Sequence, residues 1–391
     1  MVWPVDQPRS FRADQPVRFA LPALGRRRQT TRGLLAGVLL CMNAAAAACP
    51  LCLGAGQPTK AQQLAAAQQA VLAVPTARAS RFRVIEVIKG ERPSASTIEG
   101  GYARFGPAAD AEVPKGKTLL LVRDDQFPSW TILGAIGREQ SAWLRKLAAG
   151  KSAEEISAED WRARVALVVP YLENPEPLAA EIAYGALAAA PYAAVRTAKP
   201  RLDARAVRAW LADPELSGRH RLYLLLLGVA GNARDTAALE QRLEAAWKSG
   251  NAMNLAPMLA ADLELRGAAR MTWVEDRYLR DRARSTPEIE AALLALSVHG
   301  NANSVIPRER VIQSYRMFMK EHQEIAGYVA QDLAAWQYWD AVTEYVALMK
   351  SDVRQQYPSR LAILAYLRQS PSVVARELAL HTQALPGTRR Y

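Results

Sequence analysis

The chain has 391 residues, half of them apolar and only 7% aromatic, and it carries a formal net charge of +12. A single hydrophobic core rarely accommodates this length, so two or more structural units are expected. The cationic excess does not indicate a nucleic-acid-binding protein, because no cluster of aromatic residues is interleaved with Lys and Arg.

Residues 1–48 have the features of a signal peptide. A basic segment at 26–32 precedes the apolar run GLLAGVLLCMNAAAAA at 33–48, and the small residues Ala46 and Ala48 satisfy the usual cleavage rule. The run is shorter than the about 20 apolar residues that a membrane-spanning helix needs. We therefore predict an exported protein, periplasmic or secreted, that is cleaved after Ala48.

Cleavage would leave Cys49 as the first residue of a Cys-Pro-Leu-Cys motif that ends at Cys52. A local disulfide formed after export is the simplest interpretation. A redox pair is the alternative, and it would require a lowered thiol pKa. Residues 46–49 also form a degenerate lipobox, so lipidation of Cys49 would provide a membrane tether. The four His residues are scattered and no second Cys-x-x-Cys is present, so we predict no metal site and no cofactor.

Residues 49–149 are predicted to form a small β-rich module, an antiparallel sheet or barrel. A short helix at 61–68 is followed by expected strands at 69–77, 82–89, 97–105, 117–123 and 130–135, and a helix at 139–147 closes the module. These segments are rich in β-branched residues and end at Gly or Pro. In the strand FRVIEVIK, Phe82 and Val84 compete with Ile85 and Val87 for the inner face, so its phase stays open.

Residues 152–391 are predicted to form an α-solenoid of about six helix pairs. Pair starts fall near 176, 216, 253, 287, 323 and 357, a spacing similar to that of HEAT-like two-helix repeats. The segment 222–243 shows the unit: an apolar helix, a Gly-Asn turn and an amphipathic helix. Gly228 is expected to permit close approach of another backbone, Gly231 to end its helix in the left-handed conformation, and Asn232 to cap the next one.

This order of parts resembles that of a set of uncharacterised exported bacterial proteins, which begin with C-P-x-C and continue with a small β module and a helical region. The β module with its N-terminal Cys is also similar to netrin-like domains that inhibit metalloproteases. Those domains chelate a catalytic metal through the amino group and carbonyl of the first Cys. This chain departs from them because they contain several disulfides, and here only Cys49 and Cys52 remain.

The helical region offers no predicted catalytic residue. Its densest acids, including Glu275 and Asp276, alternate with Arg at helix-neighbour spacing, which predicts solvated surface pairs. A run of basic residues between 196 and 221 is suited to binding a phosphorylated lipid or an acidic polymer, although an Arg-rich composition alone explains it equally well. A group of aromatic residues between 336 and 345 is suited to lining a concave binding face or, alternatively, to packing in the core. The candidate binding surface therefore comprises Arg196, Arg201, Arg205, Arg208, Trp336 and Trp339.

Together these features predict a non-enzymatic, exported protein of the cell envelope that acts as a binding or scaffold module through its helical-repeat surface. The expected partner is a protein or another envelope component rather than a nucleic acid. Three alternatives remain: a thiol-disulfide redox protein that uses Cys49 and Cys52, a membrane-anchored lipoprotein, and an inhibitor module of the netrin-like type.

Overall fold

The computed structural model of this chain describes residues 51, 57–78, 80–102, 113–124, 129–150 and 156–382. All of these residues belong to one of the two units into which the chain divides, Ala44–Tyr391. A helix and five strands come first in this unit, and the remainder is helical. The fold is therefore α+β and mainly α, as the sequence predicts.

The five strands are β1 (Gln69–Pro75), β2 (Arg81–Lys89), β3 (Thr97–Tyr102), β4 (Thr118–Arg123) and β5 (Trp130–Ile136). They close into a barrel in the order β1-β2-β3-β5-β4, with β4 returning to β1. Every neighbouring pair is antiparallel except β3 and β5, which run parallel. The expectation of a purely antiparallel sheet is wrong for this pair. A closed ring with an odd number of strands cannot alternate direction throughout, so one parallel pair is unavoidable.

Strand β2 changes phase twice along its length. Its register against β1 shifts between Leu72 and Ala73 and again between Ala70 and Val71, which leaves Ile85 and Ile88 without a paired residue. Extra residues of this kind are β-bulges, which kink and twist a strand. Val84 and Val87 consequently both pack against the barrel interior. The competing phases in the sequence are thus both partly correct.

The apolar run of β4 is buried on both faces of the sheet. Leu119 and Leu121 point into the barrel, where they pack with Phe82 and Trp130. Leu120 and Val122 alternate with them and join a second, larger core that extends through the helices. A strand covered on both sides needs no polar alternation, and this explains the sequence TLLLVR.

One described α-helix precedes the barrel strands in the sequence, and the other α-helices follow them. A capping box between Thr59 and Gln62 starts the helix Lys60–Ala66, and Ser157 with Asp160 starts the helix Ala158–Val168 in the same way. Three-residue and longer 3₁₀ segments connect several of the helices, and a π-helical turn covers Glu275–Leu279. The α-helices are α1 (Lys60–Ala66), α2 (Ser141–Ala148), α3 (Ala158–Val168), α4 (Pro177–Ala188), α5 (Tyr192–Val195), α6 (Ala204–Ala212), α7 (His220–Ala230), α8 (Ala233–Ser249), α9 (Leu255–Arg266), α10 (Met271–Val274), α11 (Thr286–Ala302), α12 (Arg308–Glu321), α13 (Ala330–Ala335), α14 (Val342–Lys350), α15 (Tyr357–Gln369) and α16 (Val373–His381).

Helix α9 packs between α7 and α11, and α8 packs against α9 as well. A Cβ atom added to Gly228 of α7 would lie only 2.7 Å from the Cα of Ala261 in α9. The predicted close approach of a second backbone at Gly228 is confirmed. No helix among the described residues is both long and apolar enough to cross a membrane.

The turn between α7 and α8 differs in part from the prediction. Asn232 caps α8 as expected, with its side chain accepting from the backbone N–H of Arg234 and with Asp235 completing a capping box. Gly231, however, has φ −74° and ψ −179°, so it is extended and not left-handed. The left-handed glycine lies at the other end of α8, where Gly250 has φ +64°.

One contact between the barrel and the helices joins β5 to the start of α4. The side chain of Leu178 lies against Gly134 of β5, at 3.3 Å from an added Cβ. The carboxylate of Glu176, buried at the N-cap of α4, accepts from Lys117 Nζ and from the backbone N–H of Gly137 at 3.1 Å. One carboxylate thus connects two barrel segments to a helix end.

Candidate binding surface

Helix α6 has an apolar face and, on its opposite side, a basic face. Asp203 caps it by accepting from the backbone N–H of Arg205 at 2.8 Å. Val207 and Leu211, one turn apart, are buried, and α6 packs against α7. Arg205 and Arg208 are three residues apart and exposed, so they lie on the opposite side of the helix.

Arg208 connects α6 to the first turn of α8. Its Nη1 lies 3.1 and 3.0 Å from the two carboxylate oxygens of Asp235, a residue that is only 2% exposed. Asp235 also accepts from the backbone N–H of Asn232 at 2.8 Å, within the capping box of α8. This ion pair holds the exposed side of α6 next to the first turn of α8, which also carries the exposed Arg234.

Most cations around this connection have no internal partner. The side chains of Arg201, Arg205 and Arg234 make no hydrogen bond or ion pair with any residue that the structure describes, and all three are exposed. The acids of this region are the cap Asp203, the paired Asp235, and Asp213 and Glu215 at the C-terminal end of α6. We name this surface the α6 basic face; it comprises Lys199, Arg201, Arg205, Arg208 and Arg234.

Arg196 is excluded from the α6 basic face because its charge is paired inside the protein, although the sequence groups it with Arg201, Arg205 and Arg208. Its Nε donates to Glu264 Oε1 of α9 at 2.7 Å, and the Tyr192 hydroxyl donates to Glu264 Oε2 at 3.1 Å. The side chains of Arg196 and Glu264 are 29% and 8% exposed. Arg196 therefore links α5 to α9, and its charge is already neutralised.

His299 of α11 completes this buried group. Its Nε2 lies 2.9 Å from the carbonyl oxygen of Ala260, and a carbonyl can only accept, so Nε2 carries the hydrogen. Nδ1 then presents a lone pair; it has no hydrogen-bond partner among the described residues and lies 3.9 Å from Glu264 Oε2. Burial lowers the pKa of His299 below 6.5, the nearby Arg196 adds to this effect, and the Ala260 carbonyl and Glu264 oppose it.

The two predicted tryptophans are half-buried and pack against tyrosines. Trp336 stacks on Tyr315 with ring centroids 5.6 Å apart and donates from Nε1 to the side chain of Asn301 at 2.8 Å. Trp339 lies 5.2 Å from Tyr366 in a tilted arrangement. These contacts correspond to the core-packing alternative, and neither tryptophan lies on the α6 basic face.

The predicted surface position of Glu275 is wrong, although its carboxylate does lie 3.7 Å from Arg280, whereas the prediction for Asp276 agrees with the structure. Asp276 is exposed and pairs with Arg280 one turn later. Glu275 is 5% exposed, because the π-helical turn directs it towards α12, where Arg310 Nη1 and Ser314 Oγ each donate to its Oε1 at 2.6 Å. Burial raises its pKa, but the Arg310 and Ser314 hydrogen bonds outweigh burial and hold the pKa below 4.5.

Two open clefts lie near the C-terminal end of α12 and share Lys320 and Gln323. The larger, about 600 Å³, is polar, and its only cation without a partner among the described residues is Lys320. The smaller, about 300 Å³, lies between α12 and α14 beside the Arg316–Glu344 ion pair. Neither cleft concentrates charge of one sign as the α6 basic face does.

The remaining predicted site residues, Cys49 and Cys52, lie outside the described residues. Within the described ranges, no group of three or more His, Cys, Asp or Glu side chains is arranged to hold a metal ion. Comparison of the chain with protein-family models, with curated proteins and with solved structures gives no match.

Proposed function

We propose that this chain is an exported envelope protein whose helical region is an α-solenoid of HEAT-like repeats and serves as a non-enzymatic binding or scaffold module. Solenoids expose long continuous surfaces, and their function depends on the residues of those surfaces. The partner is a protein or another envelope component.

The succession of helices supports the repeat interpretation. The leading segments of the proposed pairs begin at Pro177, His220, Leu255, Thr286, Gln323 and Tyr357, close to the positions expected from the sequence. The leading helices α7, α9 and α11 contact one another in turn, and the second helix α8 packs against α9. Stacking of neighbouring pairs in this manner is how a repeat array buries its apolar faces.

The proposal that the module is not an enzyme rests on the ion pairs that its buried carboxylates form. Acid–base chemistry needs carboxyl groups that face a substrate cleft with separated pKa values. Each of the five buried carboxylates among the described residues is instead ion-paired with a Lys or Arg side chain, and three of these pairs join different secondary-structure elements. The pairs are Glu176–Lys117, Asp235–Arg208, Asp262–Arg270, Glu275–Arg310 and Glu288–Arg284.

Affinity capture from envelope extracts tests this function. We expect the tagged full chain to retain a stoichiometric partner that excess untagged chain displaces, because a specific surface is saturable. The matched variant Cys49→Ser with Cys52→Ser should retain the same partner. Capture that disappears with the cysteines, together with loss of disulfide exchange on a model thiol substrate, would instead establish the redox alternative.

Mass spectrometry of the N-terminus of the protein recovered from cells tests export separately. We expect a chain that begins at Cys49. A mass increase equal to a diacylglyceryl group would identify the lipoprotein alternative, and an intact N-terminus at Met1 would contradict cleavage.

A further inference from the structure

We infer that the α6 basic face is a docking surface for the phosphate groups of an anionic lipid bilayer. This inference rests on the proposed function, because it assigns a partner to one part of the helical surface. It starts from charge: the face carries five cationic side chains, whereas Asp203 caps the start of α6, Asp235 is buried, and the exposed Asp213 and Glu215 lie at the far end of the helix.

The arrangement of these cations fits oxygen anions on a broad surface. Four of the five are Arg, whose planar guanidinium matches phosphate oxygens with two parallel hydrogen bonds. Arg205 and Arg208 share the exposed side of α6, and the Arg208–Asp235 contact places Arg234 of α8 beside them. Because Arg201, Arg205 and Arg234 have no partner among the described residues, binding would not break an internal ion pair.

The composition of the face favours a bilayer over a protein or a nucleic acid. Specific protein interfaces contain an apolar or aromatic centre, and single-stranded nucleic acids are bound by stacking on exposed aromatics. None of the large apolar side chains that the structure records as exposed lies between residues 196 and 242, and Trp210 of α6 packs inward against Tyr223. Attraction of basic residues to an anionic lipid surface needs no apolar contact.

Vesicle sedimentation with the full chain tests the inference. The probes are vesicles of phosphatidylcholine mixed with phosphatidylglycerol and vesicles of phosphatidylcholine alone. We expect Arg201→Gln with Arg205→Gln to reduce partitioning onto the anionic vesicles about twenty-five-fold, since each surface cation contributes about fivefold. Added salt should reduce the wild-type binding and narrow this difference, because exposed charges are screened.

The matched control is Lys350→Gln with Arg354→Gln, which removes the same charge from exposed positions that have no partner in the described chain. It should bind the anionic vesicles like the wild type. Residues 1–48 carry basic and apolar segments and are treated identically in every variant, so the difference between the two double variants reports on the substituted cations alone. Circular dichroism and thermal midpoints verify that all variants are folded.

Three outcomes would overturn the inference. Equal losses in the two double variants would mean that only overall charge matters. Wild-type binding that does not depend on phosphatidylglycerol would exclude recognition of anionic lipid. Binding to poly-glutamate that depends on Arg201 and Arg205, without vesicle binding, would assign the face to an acidic protein. In each case a partner still captured from envelope extracts would leave the proposed function intact.

Discussion

Replacing Gly228 by alanine tests whether α7 and α9 are in backbone contact. The added methyl carbon would lie 2.7 Å from the Cα of Ala261, 3.0 Å from its Cβ and 3.1 Å from its carbonyl oxygen. Ordinary van der Waals contacts of a Cβ begin at 3.4 Å, so the helices must separate locally by several tenths of an ångström. The clashing Cα and carbonyl oxygen are backbone atoms, so no side-chain rotation relieves them.

Two opposing terms set the magnitude. Alanine favours a helix over glycine by about 1 kcal/mol, which would stabilise the variant if space were available. Overfilling a well-packed core costs about 1–3 kcal/mol, and a clash with backbone belongs at the upper end of that range. We therefore expect Gly228→Ala to lower the free energy of unfolding by about 2 kcal/mol.

Urea unfolding followed by far-UV circular dichroism measures the change. Gly218→Ala is the matched control, because its added Cβ meets no atom within 4 Å and its φ is not positive; it should leave stability unchanged or raise it by about 0.5–1 kcal/mol. Adding Ala261→Gly to Gly228→Ala should restore only part of the loss, since the Cα and carbonyl contacts remain. A Gly228→Ala protein as stable as the control would refute the proposed contact.

Three further results are expected. The thermal midpoint should fall as the pH drops below 6.5, because burial lowers the pKa of His299 and this side chain then binds a proton more readily in the unfolded chain than in the folded one. The variant His299→Gln should weaken this pH dependence, whereas the control His381→Gln, at an exposed position, should not. Tyr315→Phe removes a 2.6 Å hydrogen bond to Asp332 and should cost about 1.5–3 kcal/mol in urea unfolding, and an unchanged midpoint would contradict a hydrogen bond of that strength. Gly250→Ala should cost about 1–2 kcal/mol by calorimetry through its left-handed backbone alone, and no loss would argue against that conformation.

Local sequence patterns predict the position of the strands and of most helices well. The β-branched run that ends at Gly90 and the apolar run after Lys117 give β2 and β4 to within one residue. These elements depend on neighbouring side chains, so spacing along the chain is sufficient. The parallel pairing of β3 with β5 depends instead on closure of the whole ring, for which no local signal exists.

The candidate surface was predictable only where a single helix determines it. Arg205 and Arg208 share a face because of helical spacing, and this part follows from the sequence. Arg196 and Glu264 are 68 positions apart, and nothing in either segment indicates that they form an ion pair. Glu275 was missed for a related reason, since burial of a carboxylate depends on the helix packed above it rather than on its own neighbours.

The larger core runs without interruption from the outer wall of the barrel to the last helices. Leu72, Leu120 and Ile136 therefore avoid water only while helices such as α4 cover them. The β module consequently cannot be exchanged for an unrelated domain, because a replacement would have to supply an apolar surface of the same shape. A barrel released from the helices would expose that apolar surface to other proteins.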